Sequence, residues 1–269
     1  MCCRLKLFYS NVFIFTFIVF FFGIPLIGGA SGPVKFTILY DNYVFQEGTQ
    51  ADWGFSCLIE GTEQSILFDT GTRENILLHN IEELGVDLRE VDIIVISHDH
   101  GDHTGGLSAV LEINPHVSVF MPVSFSEKYR KKVDEDKTKI IAVSDPTEIC
   151  QDVYITGEMG DLIKEQSLVL DTNQGLIVVA GCSHQGVVNI LKRAEEIKNK
   201  QIYLMFGGFH LMQHTDVQIA EIITHFREMD VKKCGATHCT GDRQIGLFKK
   251  AYGDDYVPMG TGRILLIQD

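Results

Sequence analysis

The sequence predicts an αββα sandwich, two mixed β-sheets packed face to face with helices on the outside. Three observations carry this. Short apolar strands alternate with amphipathic helices in two similar runs. A dense histidine cluster stands on the loop where a strand gives way to a helix. The chain has 269 residues, 45% of them apolar, enough for one substantial core.

The first run opens with apolar segments at Val34 to Tyr40, Gly54 to Ile59 and Ile66 to Phe68, separated by Asp-Asn, Gly-Thr and Asp-Thr-Gly turns, the mark of an antiparallel start. Ile76, Leu77, Ile81 and Leu84 then share one helix face, closed by Gly85. A strand rich in Ile and Val, Val91 to Ser97, leads into the histidines, and a helix begins near Thr104. Strands follow at His116 to Met121, Lys139 to Val143, Val153 to Thr156, Ser167 to Leu170 and Leu176 to Ala180. From Gln185 to Lys200, Val187, Ile190, Leu191, Ala194 and Ile197 recur at helical spacing, with Lys and Glu opposite. The rest predicts a strand at Ile202 to Phe206, a helix at Val217 to Met229, a strand at Val231 to Ala236, a helix at Gly241 to Ala251 and a last strand at Ile264 to Ile267.

Residues 1–30 stand apart from the globular part at 31–269. Arg4 and Lys6 precede an uncharged apolar stretch from Phe8 to Ile27, which ends in Gly28-Gly29-Ala30. This fits a cleaved export signal, or an anchor, since twenty helical residues span a bilayer of roughly 30 Å. Export or membrane anchoring is expected, with membrane contact through residues 8–27 in an anchor. The cysteines point the other way, toward a reducing compartment and a cytoplasmic alternative. Cys2 and Cys3 precede the apolar stretch, and the other five are scattered without a Cys-x-x-Cys pair. A net charge of −13 argues against nucleic acid, whose binders need a basic face.

The chemistry is concentrated in Ser97-His98-Asp99-His100-Gly101-Asp102-His103. In extended backbone, alternate side chains share a face, so His98, His100 and Asp102 can converge while His103 turns aside, giving two adjacent metal positions. Imidazole and carboxylate suit Zn²⁺, Mn²⁺ or Fe²⁺, zinc first. With no thiolate at this spacing, an open catalytic site is favoured over a closed structural one.

These residues match His-x-His-x-Asp-His, and the chain resembles the metallo-β-lactamase superfamily. Leu67-Phe68-Asp69-Thr70-Gly71, Gly181-Cys182-Ser183-His184 and Ala236-Thr237-His238-Cys239-Thr240-Gly241 extend the resemblance over the whole globular part. It implies that His98, His100 and His184 hold one ion, and Asp102, His103 and His238 a second. Asp69 suits an imidazole-orienting role, while Cys182 and Cys239 read as small buried residues. One departure matters. The family commonly places a bridging aspartate after a strand between the last two histidines, but Phe206-Gly207-Gly208-Phe209-His210-Leu211 has no carboxylate. The number of ions is then one or two. His210 becomes a candidate substrate-facing donor or general acid, and Asp102 and His210 are the candidate catalytic residues.

Asp41-Asn42, Gly54 to Glu60, Cys-Ser-His, Gly-Gly-Phe-His-Leu and Thr-His-Cys-Thr-Gly narrow the resemblance. They resemble the branch of the 7,8-dihydropterin-6-methyl-4-(β-D-ribofuranosyl)aminobenzene-5′-phosphate synthases. The leading expectation is a metal-dependent hydrolase using activated hydroxide on a small ester or phosphoester. The alternatives are a transferase that releases pyrophosphate from a phosphorylated, pterin-like substrate, and a metal-sensing module with little turnover.

Overall fold

The computed structural model describes residues 32–133 and 138–268. The first sheet is built from β1 (Val34–Tyr40), β2 (Ser56–Glu60) and β3 (Ile66–Phe68), then, after helix α1 (Glu74–Glu83), from β4 (Ile93–Val95). The short helix α2 (Gly101–Thr104) and α3 (Leu107–Ile113) lead to β5 (Ser118–Pro122), α4 (Glu127–Val133) and β6 (Lys139–Val143). The second sheet comprises β7 (Thr147–Cys150), β8 (Val153–Ile155), β9 (Leu168–Thr172), β10 (Gly175–Ala180), β11 (Ile202–Gly208) and β12 (Lys233–Thr237). Helices α5 (Val187–Ile197), α6 (Asp216–Glu228) and α7 (Asp242–Tyr252) cover it, and β13 (Ile264–Ile267) ends the described chain.

Among the described residues the strand orders are β13-β1-β2-β3-β4-β5-β6 and β12-β11-β10-β9-β8-β7. Each sheet has parallel pairings, β3 to β6 in one and β10 to β12 in the other, with antiparallel pairings elsewhere. This is the four-layer mixed sandwich expected. A strand covered on both faces reads as a continuous apolar run, which is why β4 and β10 are buried along their whole length. Phe36, Phe68, Val95, Ile177, Val179 and Phe206 fill the space between the sheets, and Phe36 meets Phe206 edge-on at 5.4 Å. Outside, Val187, Ile190, Leu191 and Ala194 of α5 lie against the second sheet, as their spacing predicted. Leu77 and Val110 cover the first.

Two elements escape the sequence reading. The edge strand β7 is only half-buried, so Thr147-Glu148-Ile149-Cys150 carries little apolar signal, and α4 is rich in Lys and Arg. The placement of β13 was also illegible: it leaves the second run to pair antiparallel with β1 at the edge of the first sheet.

The expectation of export or membrane anchoring is corrected. No helix among the described residues is long and apolar enough to cross a membrane. Residues 1–30, on which that expectation rested, lie outside the described residues. The five cysteines at 57, 150, 182, 234 and 239 are free thiols.

Candidate metal centre

The strand ends at one rim of the sandwich deliver every candidate side chain. Beyond β4 an irregular stretch that bends at Asp99 carries His98 and His100, and Gly101 then starts the turn of α2. That turn changes the geometry expected from strand alternation. Asp102 does not converge with His98 and His100, because it and His103 occupy successive helical positions facing a second point. His98, His100 and His184 form one group of donors, and Asp102, His103 and His238 belong to another, the donor atoms of each lying within 4.8 Å of one another.

Fixed hydrogen bonds set the ring orientations. Asp69, fully buried, accepts from Ser97 N and Ser97 Oγ, both at 2.7 Å, and from His103 Nδ1 at 2.7 Å. Since the Ser97 hydroxyl donates to Asp69, its oxygen accepts from His98 Nδ1 at 2.9 Å, leaving His98 Nε2 as the lone pair, 3.0 Å from His100 Nδ1. Asn42 Oδ1 accepts from Gly54 N at 3.1 Å and from His238 Nδ1 at 2.9 Å. His103 and His238 thus both present Nε2 to the second point, the arrangement in which an outer hydrogen bond fixes the tautomer of a metal-ligating imidazole. The carboxylate of Asp41 binds the Thr237 hydroxyl and so ties down the residue before His238.

The sequence reading missed three participants. Trp53 donates from Nε1 to Asp102 Oδ2 at 2.8 Å, and its ring lies 5.2 Å from that of His238. Glu165, fully buried, accepts from the backbone N–H groups of Cys182, Ser183 and His184 at 2.7–2.8 Å and so shapes the loop that carries His184. Its neighbours Lys164 and Gln166 are both polar, so no local apolar pattern marks it as buried. The third is Cys182. It was expected to pack as a small residue, but its sulfur lies 3.3 Å from His103 Nε2 and 3.4 Å from His238 Nε2, among the donors of the second group.

Electrostatics suit the first group to neutral ligands. Burial, then the imidazoles of His103, His184 and His100, hold His98 far below the ordinary histidine range. Burial, then His210, His100 and His103, lowers His184 to about 4. Neutral imidazole is the state a metal requires. In the second group, burial opposes the charge on His103, but Asp69 and Asp102 outweigh it and push the ring up to about 10. Burial likewise disfavours the charge of Asp102, yet bonds from His103 and His238 hold it well below the usual carboxylate range.

The residues fit such an ion. His184 Nε2 is buried without a hydrogen-bond partner, an expensive state for a polar atom unless something is meant to bind it. The donors are those that zinc, manganese and iron accept. His210, in left-handed backbone at φ 55°, is exposed with its ring 4.2 Å from that of His184. Both line a cleft of about 790 Å³ together with Glu158, Leu162, Gln185 and Arg193.

Residues 54–190 match the metallo-beta-lactamase superfamily. The chain belongs to that superfamily. A 7,8-dihydropterin-6-methyl-4-(beta-D-ribofuranosyl)-aminobenzene-5′-phosphate synthase from Methanocaldococcus jannaschii is 28% identical, over 88% of this chain and 98% of its own. An uncharacterized protein of the same organism is 31% identical, over 85% of this chain and 98% of its own. Among solved structures, a metal-dependent hydrolase of the beta-lactamase superfamily, Tm1679, superposes with a TM-score of 0.75 and 29% identity, covering 88% of this chain and all of that one. Metallo-beta-lactamase proteins bind divalent metal, and the two donor groups stand at the strand ends of this fold.

Proposed function

We propose that this chain is a metal-dependent hydrolase of a small ester or phosphoester, with His98, His100 and His184 holding one divalent ion and Asp102, His103 and His238 a second. The observation that carries the reading is the pair of adjacent donor groups, one of which contains His184, whose Nε2 is buried without a partner. When bound, such ions lower the pKa of water from about 15.7 toward about 7 and polarise a carbonyl or phosphoryl oxygen.

The chain's own residues do the rest. Asp69 and Ser97 hold the rings of His103 and His98, and Asn42 holds that of His238, so no ligand must reorient when substrate arrives. Trp53 donates to Asp102 and fixes its carboxylate at the second point. His210 stands at the cleft beside His184, where it protonates a leaving group. Arg193 and the Gln185 amide line the same cleft. Both polar atoms of that amide lack partners, so it supplies a donor and an acceptor to substrate.

A second reading, transfer with release of pyrophosphate, is favoured by the 28% identity to the pterin-phosphate synthase. An amine in place of water would use the same site. Metal analysis of the purified protein with and without His100→Ala tests the centre: transition metal is expected in the wild type and reduced in the variant, and a metal-free wild type would sink the proposal. Assays on phosphodiester, lactone and pterin-diphosphate substrates with the loaded protein then separate hydrolysis from transfer.

A further inference from the structure

We infer that the thiol of Cys182 is a fourth protein ligand at the second metal position, in a centre that lacks the bridging carboxylate. This rests on the two-ion reading above and extends it to which position reacts.

Donor spacing carries the argument. A tetrahedral ion with nitrogen and oxygen ligands at about 2.0–2.2 Å and sulfur at about 2.3 Å sets its donors about 3.3–3.6 Å apart. The edges found here are 3.6 Å from Asp102 Oδ2 to His103 Nε2, 3.4 Å from Asp102 Oδ2 to His238 Nε2, and 3.3 and 3.4 Å from Cys182 Sγ to the same two nitrogens. Four of the six edges of a tetrahedron thus already have the lengths a bound ion requires, and the remaining two pairs lie within 4.8 Å. The sulfur groups with these donors and not with His98, His100 and His184, so it does not bridge.

Packing explains why a thiol takes this place. A Cβ at Gly208 would meet Gly181 O at 2.3 Å and Cys239 Sγ at 2.8 Å, so β11 has no room there for a side chain to reach the centre. The neighbouring strand end supplies Cys182 instead, held by the bond from its N–H to Glu165.

The consequence is a division of labour. Four protein donors close the second position, whereas three imidazoles leave the first with an open place, the difference between a structural and a reactive site. The cleft agrees, since it is lined by His184 of the first group and by none of Asp102, His103, Cys182 and His238. Substrate therefore reacts at the His98, His100 and His184 position, and the second ion anchors the loops around it.

The test is cobalt(II) loading of the full chain, read by metal content and by the near-ultraviolet thiolate-to-cobalt absorption. Wild type should take two ions per chain and show the band. Cys182→Ser should lose the band and one ion, and Cys239→Ser should keep both. Cys182, His210 and Cys239 also lie within ligand reach of one another, so loss of the band in Cys239→Ser would assign the thiol to that trio and overturn the inference. Two ions without a band would overturn it as well, whereas a wild type that takes no ion would overturn the two-ion reading itself. Because Cys182→Ser could unfold, X-ray absorption of zinc-loaded wild type gives a check free of variants. A sulfur neighbour at about 2.3 Å is expected, and a purely nitrogen and oxygen shell would refute the assignment.

Discussion

At the residue scale the centre depends on groups that bind no metal. Glu165 is the sharpest case. Burial pushes its carboxyl up to about 7 although three backbone N–H groups favour its charge. Between the unfolded carboxyl pKa of about 4.3 and the folded value of about 7, the native chain keeps a proton that the unfolded chain has lost. The Glu165 contribution to stability is therefore present below that window and falls as pH rises through it. His98 and His184, both lowered, pull the opposite way, so the informative quantity is a difference. Unfolding the metal-free wild type and Glu165→Gln in urea from pH 4.5 to 7.5 should show the wild type losing about 3 kcal/mol relative to the variant. A constant difference would mean that Glu165 does not titrate there. His210 gives a second prediction. If it protonates the leaving group, His210→Ala should keep its ions and lose about 100-fold or more in kcat, with KM less affected. An unchanged kcat would remove it from the chemistry. His98 to His103 were legible because six contiguous residues declare themselves. Cys182 was not, since it meets His103 and His238 across 79 and 56 residues of chain.

At the scale of elements, the strand ends place the ligands and the turns aim them. Strand alternation alone put Asp102 beside His98 and His100; the helical turn of α2 moves it to the second group. A one-turn helix has too few residues to show a periodicity. The close approach of β11 to β10 sets another limit. At Gly208 an added methyl would strike the carbonyl of Gly181, part of the backbone that leads to His184. Gly208→Ala should cost about 1–3 kcal/mol in urea unfolding and weaken metal binding. Gly246 lies within α7 with nothing within 4 Å of an added Cβ, so Gly246→Ala should stabilise by about 0.5–1 kcal/mol. Equal effects at the two positions would contradict this account.

At the scale of the whole molecule, the proposed ions tie the two sheets together. Asp102 and His103 follow β4 of the first sheet, while Cys182, His184 and His238 follow β10 and β12 of the second. An ion bound only by the folded arrangement stabilises it by mass action, about 4 kcal/mol when free ion exceeds Kd about a thousandfold. Chelation should therefore lower the melting temperature of the whole molecule in one transition, and zinc should restore it. Trp53, the one tryptophan of the chain, touches Asp102 and so offers a fluorescence readout of the second position. A melting temperature indifferent to chelator would contradict any role for the ions in holding the sheets.

The sequence by itself determined the four-layer sandwich, the periodic faces of α5 and α1, and the histidine and aspartate cluster. These are local patterns of burial and spacing, written in neighbouring residues. Only the tertiary structure decided that β13 returns to the first sheet, that Glu165 is buried beneath the Cys182 to His184 loop, and that a thiol stands among the second set of donors. Each depends on distances between residues far apart in the chain, which close only when two sheets, each shaped by its own core, bring their strand ends to one rim.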